Sequence, residues 1–481
     1  MSTTGAIGSE KVEAVINPGR IDLEELRASM RGAILQSGDN GYEEARRIWN
    51  GMIDRHPAVI ACCTGPADVM AAVRFARARR LPIAVRGGGH NVSGNAVCEG
   101  GLVIDLSPMR GVRVDRERSV VRVAGGALLG DIDHETQVFG LAVPLGAVSA
   151  TGVGGLSLHG GLGFLTRKYG LTADNLVSAD MVTADGELIT ADENHHSDLL
   201  WALRGGGGNF GVVTSFEFRL HPVGPEVWFL LTFYPAAEGR KVIEFFRSFM
   251  PAAPDELMAI AIYWNTPDGD PIPEEHRGAP VIVIAGCWCG PLDEGDRITQ
   301  PLREIATPIV DLSGPMPFVA AQQLFDADYP AGGRYYWKSL YLRELDDDLV
   351  QFVHNVAAER PTPHSTVELW ALGGAMGRVR PEATAFFHRD SPWLLTIEAN
   401  SFDPDTDQDN IAWVRRRYDD ARRFSPGGTY FNFGGFLEGG EELLAQSFGA
   451  NYQRVREIKA KYDPENIFHH NLRIPIELAA K

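Results

Sequence analysis

The apolar positions of this chain change period several times, and each change marks a predicted element. In PADVMAAVRFARARR (66–80), Val69, Val73 and Phe75 fall on or near one face behind a proline suited to a first turn, which predicts a helix. PIAVR (82–86) and GGLVIDL (100–106) are short apolar runs and predict buried strands. VRVDRERSVVRVAGG (112–126) alternates around a charged centre and predicts a hairpin, and 127–141 predicts a helix. DNLVSADMVTADGELITA (174–191) holds two strands joined by the turn ADGE. SDLLWALRG (197–205) then reads as a helix and FGVVTSFEFRL (210–220) as a strand.

From 227 to about 424 the pattern shifts. Apolar strands (VWFLLTFY, MAIAIYW, VIVIAGCW, YYWKSLYL, TVELWAL, WLLTIEANS) alternate with helices (RKVIEFFRSF, DDLVQFVHNVAAE, NIAWVRRRYDDARRF). This predicts a sheet backed by helices, so the fold class is α+β. HPVGPE (221–226) breaks both patterns and predicts a domain boundary. After 425 come GGTYFNFGGF, a helix with Tyr452, Val455, Ile458 and Tyr462 on one face, and the tail YDPENIFHHNLRIP. No internal repeat stands out.

Composition adds limits. A chain of 481 residues is too long for one compact core, which predicts two or three domains. The formal charge of −18 argues against nucleic acid and anionic membranes as partners. There is no run of 18 apolar residues, and the first residues lack the apolar core of a signal peptide, so the expected location is the cytoplasm. The five cysteines make no disulfide framework, and neither Cys62–Cys63 nor Cys287–Cys289 has zinc-knuckle spacing, so no metal site is expected.

The 53 glycines cluster in three loops, 87–89, 152–163 and 205–208. Glycine lets a backbone approach a ligand closely, and runs of backbone N–H form anion-binding nests. The three loops together predict one large, phosphate-bearing ligand. A Rossmann fingerprint does not hold it. Gly206-x-Gly208-x-x-Gly211 has a helix before it and a strand after it, the reverse of the required order. No P-loop occurs, and Ser107 and Ser157 lack a G-x-S-x-G elbow. His90 follows the first glycines in RGGGHNVSGNAVCEGG (86–101). It has no metal-ligand partner at useful spacing. A structural loop histidine and a nitrogen nucleophile both remain open, since neutral imidazole is a good nucleophile.

The ordered set RGGGHN, GGLVIDLS, GVGGLSLHGGLGFLTRKYGLTADN, LLWALRGGGGNFGVVTSFEF and KYDPENIFHHN resembles the berberine-bridge-enzyme-like oxidases, of the vanillyl-alcohol-oxidase or PCMH type. The resemblance runs from about residue 50 to 476. It implies a two-part FAD-binding domain, residues 1–225 and 425–481, with an inserted antiparallel-sheet substrate domain, 226–424. It implies FAD bonded through the flavin 8α carbon to a nitrogen of His90. Many relatives add a second bond from a cysteine, but PLGAVSATGVGG puts Val148 there, so a single bond is expected; Cys98 lies outside that segment and is expected to be structural. The carried-over cofactor contacts are Arg86, Gly87, Gly88, Gly89, His90 and Asn91. They continue with Gly146, Thr151, Gly152, Gly154, Gly155, Leu156, Gly160, Gly161, Gly163 and Asn175. Gly208, Asn209, Gly211, Val212, Val213, Tyr430, Asn432 and Asn471 complete them.

For catalysis the family's Tyr-x-Asn-Tyr segment reads Tyr430-Phe431-Asn432-Phe433, making Tyr430 the first candidate base beside Asn432. Another branch has a glutamate after G-G-x-M; here Arg378 stands there and is a candidate for stabilising an anion. Lys338, with Tyr341 and Trp370, is expected at the pocket. The implied activity is that of an oxidase, with an alcohol, sugar or phenolic natural product as substrate and dioxygen as acceptor, giving hydrogen peroxide. The chain is expected to be a monomer or homodimer. Two alternatives stand beside it. One is a flavin-dependent oxygenase of the N5-oxygen-adduct type, suggested by Thr151 and the missing second bond. The other is a flavin-containing drug-binding resistance protein.

Overall fold

The structure is a computed structural model that describes residues 21–436, 438 and 440–476; the predicted first domain's residues 1–20 lie outside the described residues. Strands β1 (Ile34–Leu35), β2 (Val59–Cys62), β3 (Ile83–Arg86) and β4 (Leu102–Asp105) form a sheet in the order β1-β2-β4-β3, with β2 and β3 parallel to β4. A parallel pair needs a long crossover. The helix Pro66–Arg79 supplies it, with proline in its first turn and Val69, Val73 and Phe75 buried.

Next come β5 (Val112–Asp115), β6 (Val120–Ala124), β7 (Leu141–Ala142), β8 (Leu176–Val182), β9 (Leu188–Ala191), β10 (Val212–Arg219) and β11 (His221–Pro222). Five of them make an antiparallel sheet, β5-β6-β10-β8-β9, while β7 pairs with β11. Alternation sets the faces: Val121 and Val123 are buried while Arg122 is exposed. The helices Leu129–Gln137 and Ser197–Leu203 pack their apolar residues on this layer.

The third sheet is antiparallel throughout. Its strands are β12 (Glu226–Pro235), β13 (Leu257–Asn265), β14 (Pro280–Trp288), β15 (Val310–Asp311), β16 (Gly314–Pro317), β17 (Arg334–Leu342), β18 (Thr366–Ala371) and β19 (Trp393–Ser401). They run β15-β12-β14-β13-β18-β19-β17, with β16 also on β12. The helices Gly239–Phe249, Asp347–Ala358 and Asp407–Ala421 cover one face through Val242, Phe246, Leu349, Val353 and Val414. The other face packs Phe229, Ile260, Val283 and Trp370 against Leu162, Phe164 and Leu165. Because strand side chains alternate, each strand serves the helices with one set and the cavity described below with the other.

Two elements differ from what the sequence predicts. The helix Gly295–Arg303 carries Pro301 and few apolar residues, which hid its periodicity. The glycine-rich 152–163 stretch contains a helical turn and a half, Val153–Leu158. Tyr430 immediately precedes a 3-10 turn, Phe431–Phe433.

Buried polar ties hold the layers together. Arg389 makes a two-pronged ion pair with Asp174, both contacts 2.7 Å. Asn50 donates to the carbonyls of Val92 and Tyr335, 2.8 Å each, and accepts from Tyr335 N–H, completing the open edge of β17. Lys459, fully buried, donates to Asp463 (2.5 Å) and to the carbonyls of Asn209 (2.8 Å) and Phe468 (3.0 Å). The C-terminal helix Tyr452–Tyr462 is thereby fixed to the 205–211 loop. Among the described residues no helix is long and apolar enough to cross a membrane.

Candidate active site

The first two sheet layers and the free face of the third sheet enclose a cavity of about 620 Å³. Its floor is formed by the glycine loops. A Cβ on Gly88 would lie 2.6 Å from Gly152 Cα, and one on Gly152 would lie 2.7 Å from Gly88 Cα. Two backbones cross there in direct contact, which only glycine permits. Gly155 and Gly208 serve differently. A Cβ on Gly155 meets nothing within 4 Å, and one on Gly208 meets nothing nearer than 3.6 Å; both residues line the cavity. These are the faces against which a flat ligand can lie.

His90 lines the cavity beside them. Its ring stacks on Trp49 at 4.0 Å, and Trp49 stacks in turn on Tyr335 at 3.9 Å. Its Nε2 is buried without a hydrogen-bond partner. Burial lowers its pKa to about 4, so the imidazole is neutral and carries a free lone pair. His159, which the sequence reading passed over, is a second such group. Its Nδ1 lies 3.0 Å from Gly155 O, which can only accept, so Nδ1 carries the proton and Nε2 a lone pair. That Nε2 is also buried and unpartnered, and burial lowers the pKa to about 4.

Of the expected cofactor contacts, Gly87, Gly88, Gly89, His90, Asn91, Gly146, Thr151, Gly152, Gly154, Gly155, Leu156, Gly208, Gly211, Val213, Tyr430, Asn432 and Asn471 line the cavity, as does Val148. The remainder stand behind it. Arg86 pairs with buried Asp105, and Val212 packs in the core of the first sheet. Asn175 ties the backbone of Tyr169 and Leu171, and Asn209 donates to Gly206 O. Gly160, Gly161 and Gly163 are shaped by protein neighbours: a Cβ would press on Phe386, Thr172 and Leu145 respectively. Cys98 is outside the cavity lining, and burial pushes its thiol up to about 12.

Two of the candidate catalytic residues, Arg378 and Lys338, stand away from the cavity. Arg378 is exposed and pairs with Asp255 at 2.5 Å, outside the cavity. Lys338 points to the helix-covered face of β17, where its Nζ lies 3.5 Å from Glu438 and over the Tyr418 ring. Its neighbour Trp337 has the cavity side, because adjacent strand residues face opposite ways. Tyr430 does line the cavity, but its hydroxyl oxygen accepts from Gly161 N–H (3.2 Å), Leu162 N–H (3.1 Å) and Asn432 Nδ2 (2.8 Å). Burial pushes the phenol up to about 12 despite these donors. Burial favours the phenol and the three donors favour the phenolate, so Tyr430 stays a candidate base on the cavity wall.

Two carboxyls share the cavity with it. Glu368 on β18 and Glu398 on β19 are both buried and both line the cavity. The strand register sets Glu398 opposite Thr366 and Glu368 opposite Thr396, so the two carboxyls lie on one diagonal of one face. Thr366 Oγ1 is 3.1 Å from Glu368 Oε1 and 3.3 Å from Glu398 Oε2; Tyr329 Oη is 3.4 Å from both oxygens. Trp370 Nε1 donates to Glu368 Oε2 at 2.8 Å. Burial raises both pKa values, and for Glu398 the charge of Glu368 raises it further. The pair titrates as a unit and resists a second negative charge. Its sequence signal was a single glutamate inside each of two apolar strands, TVELWAL and LLTIEANS.

A glycine-floored cavity that holds two unpartnered imidazole nitrogens and a buried acid pair suits a large flat cofactor beside acid–base groups. Residues 57–192 match the family described as "FAD binding domain", and residues 429–475 match "Berberine and berberine like". The chain is 31% identical to an FAD-linked oxidoreductase of Dictyostelium discoideum, over 95% of this chain and 97% of that one. It is 32% identical to (R)-6-hydroxynicotine oxidase of Paenarthrobacter nicotinovorans, over 93% and 98%. Its structure is similar to that of 6-hydroxy-D-nicotine oxidase from Arthrobacter nicotinovorans, with a TM-score of 0.82, 27% identity, and coverage of 93% and 98%. The chain belongs to the berberine-bridge-enzyme-like family of FAD-linked oxidoreductases.

Proposed function

We propose that this enzyme is an oxidase that carries FAD on one covalent bond to His90 and oxidises a small organic molecule at a C–H beside an O–H or N–H. One observation carries the reading: a neutral, unpartnered imidazole and a buried carboxyl pair share a single cavity. When bound, FAD supplies the electron acceptor, taking a hydride and passing the electrons to dioxygen as hydrogen peroxide.

The chain's own residues account for the rest. His90 offers an imidazole nitrogen lone pair for the tether, its ring held by stacking on Trp49. At the other expected anchor the cavity wall is Val148, which has no nucleophile to give. Among the described residues the cavity is lined by no lysine or arginine, so an anionic pyrophosphate there falls to backbone N–H groups of the glycine loops and to the start of Val153–Leu158. The Glu368–Glu398 pair, whose proton affinity burial raises, takes the substrate's O–H or N–H proton as the hydride leaves. Tyr430 and Asn432 shape the wall by fixing the Gly161–Leu162 backbone. The five thiols are all free, in keeping with a reducing compartment such as the cytoplasm.

Acid precipitation tests the tether. Flavin colour should stay with the precipitated natural chain and wash off His90→Ala. Colour lost from the natural chain removes the covalent bond. Glu368→Gln should keep the flavin and lose turnover; full turnover would remove the pair from the reaction.

A further inference from the structure

We propose that a second cavity, on the helix-covered side of the third sheet, binds a small carboxylate through the guanidinium of Arg360. The proposal goes beyond the oxidase reading and does not depend on it. This cavity has a volume of about 500 Å³. It lies at the paired ends of β13 and β14, where Asn265 stands opposite Pro280. The turn Ala236–Glu238, which leads into the helix Gly239–Phe249, closes one side, and the last turn of the helix Asp347–Ala358 closes the other. Its apolar lining is small: Ala236, Ala237, Pro280, Ala357 and Pro361. Its polar lining is Tyr263, Asn265, His354, Arg360 and Thr362, and among the described residues no aspartate or glutamate reaches it.

Arg360 brings a positive charge that nothing there balances. Its Nη2 donates to Trp264 O at 2.9 Å and to Asn265 Oδ1 at 2.6 Å. Its Nε is buried without a partner, and among the described residues the Nη1 hydrogens also lack an acceptor. Burial lowers its pKa to about 10, so it is still a cation at neutral pH, and the group that opposes the lowering is the Tyr263 phenol rather than a carboxylate. A desolvated charge with no counter-charge is costly, and an anion beside it removes that cost. Arg204 gives the contrast. Burial lowers it too, but its Nε and Nη2 both donate to Leu176 O, and it lines neither cavity. Tyr263 Oη lies 2.8 Å from His354 Nδ1. With Nδ1 protonated, the imidazole donates to the phenol and leaves its O–H for a guest; burial raises the phenol, so that proton stays on it. A single negative charge matches this donor set. A phosphate dianion would call for a second cation, and Arg360 is the one lysine or arginine among the described residues of this lining. The alanines and prolines then take a short hydrocarbon body. Asn265 and Pro363 line both cavities, so the guest sits across those two residues from the main one.

The test is calorimetry on the flavin-loaded enzyme with butyrate and butanamide, which share a shape and differ in charge. Butyrate should bind about tenfold or more tighter than butanamide. Arg360→Met should remove that preference. Ala358→Leu, at an exposed helix end, keeps the guanidinium but fills the space beside it, and should weaken butyrate binding as Arg360→Met does. Should Arg360→Met fail to fold, Ala358→Leu decides alone. Butanamide binding as tightly as butyrate would overturn the proposal, as would the absence of butyrate binding. Butyrate binding that neither variant changes would place the anion elsewhere on the chain and overturn it too.

Discussion

If the tether forms through neutral His90, its formation should resist acid. A histidine with the ordinary value of 6.5 is only about 3% neutral at pH 5, whereas one at about 4 is about 90% neutral. The rate of flavin attachment should then be nearly flat from pH 8 to 5 and lie about 30-fold above that of an ordinary histidine at pH 5. In energy the shift is worth about 3 kcal/mol, supplied by burial of the ring against Trp49. Trp49→Ala opens that side to water and should return the value toward 6.5, so attachment at pH 5 falls steeply while attachment at pH 8 changes little. The assay is reconstitution of apoprotein with FAD at each pH, stopped by acid at intervals, with precipitated flavin counted. A tenfold loss of rate per pH unit below 6.5 in the natural chain would show that burial does not hold His90 neutral.

The acid pair should be indispensable where Arg378 is not: Glu368→Gln or Glu398→Gln should lower kcat by about 10²–10⁴, and Arg378→Ala, breaking an exposed pair, should leave kcat within about twofold. Lys459→Met leaves Asp463 buried without its cation and two carbonyls without a donor, so denaturant titration should show a loss of about 3–5 kcal/mol. Tyr430→Phe removes the acceptor of two backbone N–H groups and Asn432, costing about 1–3 kcal/mol of stability; a loss of kcat as large as that of Glu368→Gln would make Tyr430 the base. The buried His159, lowered from 6.5 to about 4, makes acid destabilising: between those values the unfolded chain takes up a proton that the folded chain refuses. Stability is then whole above pH 6.5 and falls toward pH 4 by about 3 kcal/mol from this group, which His159→Gln should remove from a pH series of unfolding curves.

The amino-acid order alone determined the strands of all three sheets that carry period-2 or continuous apolar runs, because buried strands need those side chains wherever they sit. It also determined the family, since the motifs are backbone requirements: Gly88 and Gly152 must cross in contact, and no other residue can. His90 stood out for the same local reason, directly after three glycines. What only the tertiary structure decided is which side chains meet. Lys338 and Trp337 are neighbours in sequence and face opposite sides of β17, so the charged one, chosen from the sequence, is the one that points away. Tyr430 carries a hydroxyl on which the Gly161 and Leu162 N–H groups converge from far earlier in the chain, a meeting no local pattern shows. Glu368 and Glu398 are 30 residues apart and inconspicuous singly. Antiparallel register across β18 and β19 puts them on one diagonal, and burial makes two ordinary carboxyls into one acid–base unit.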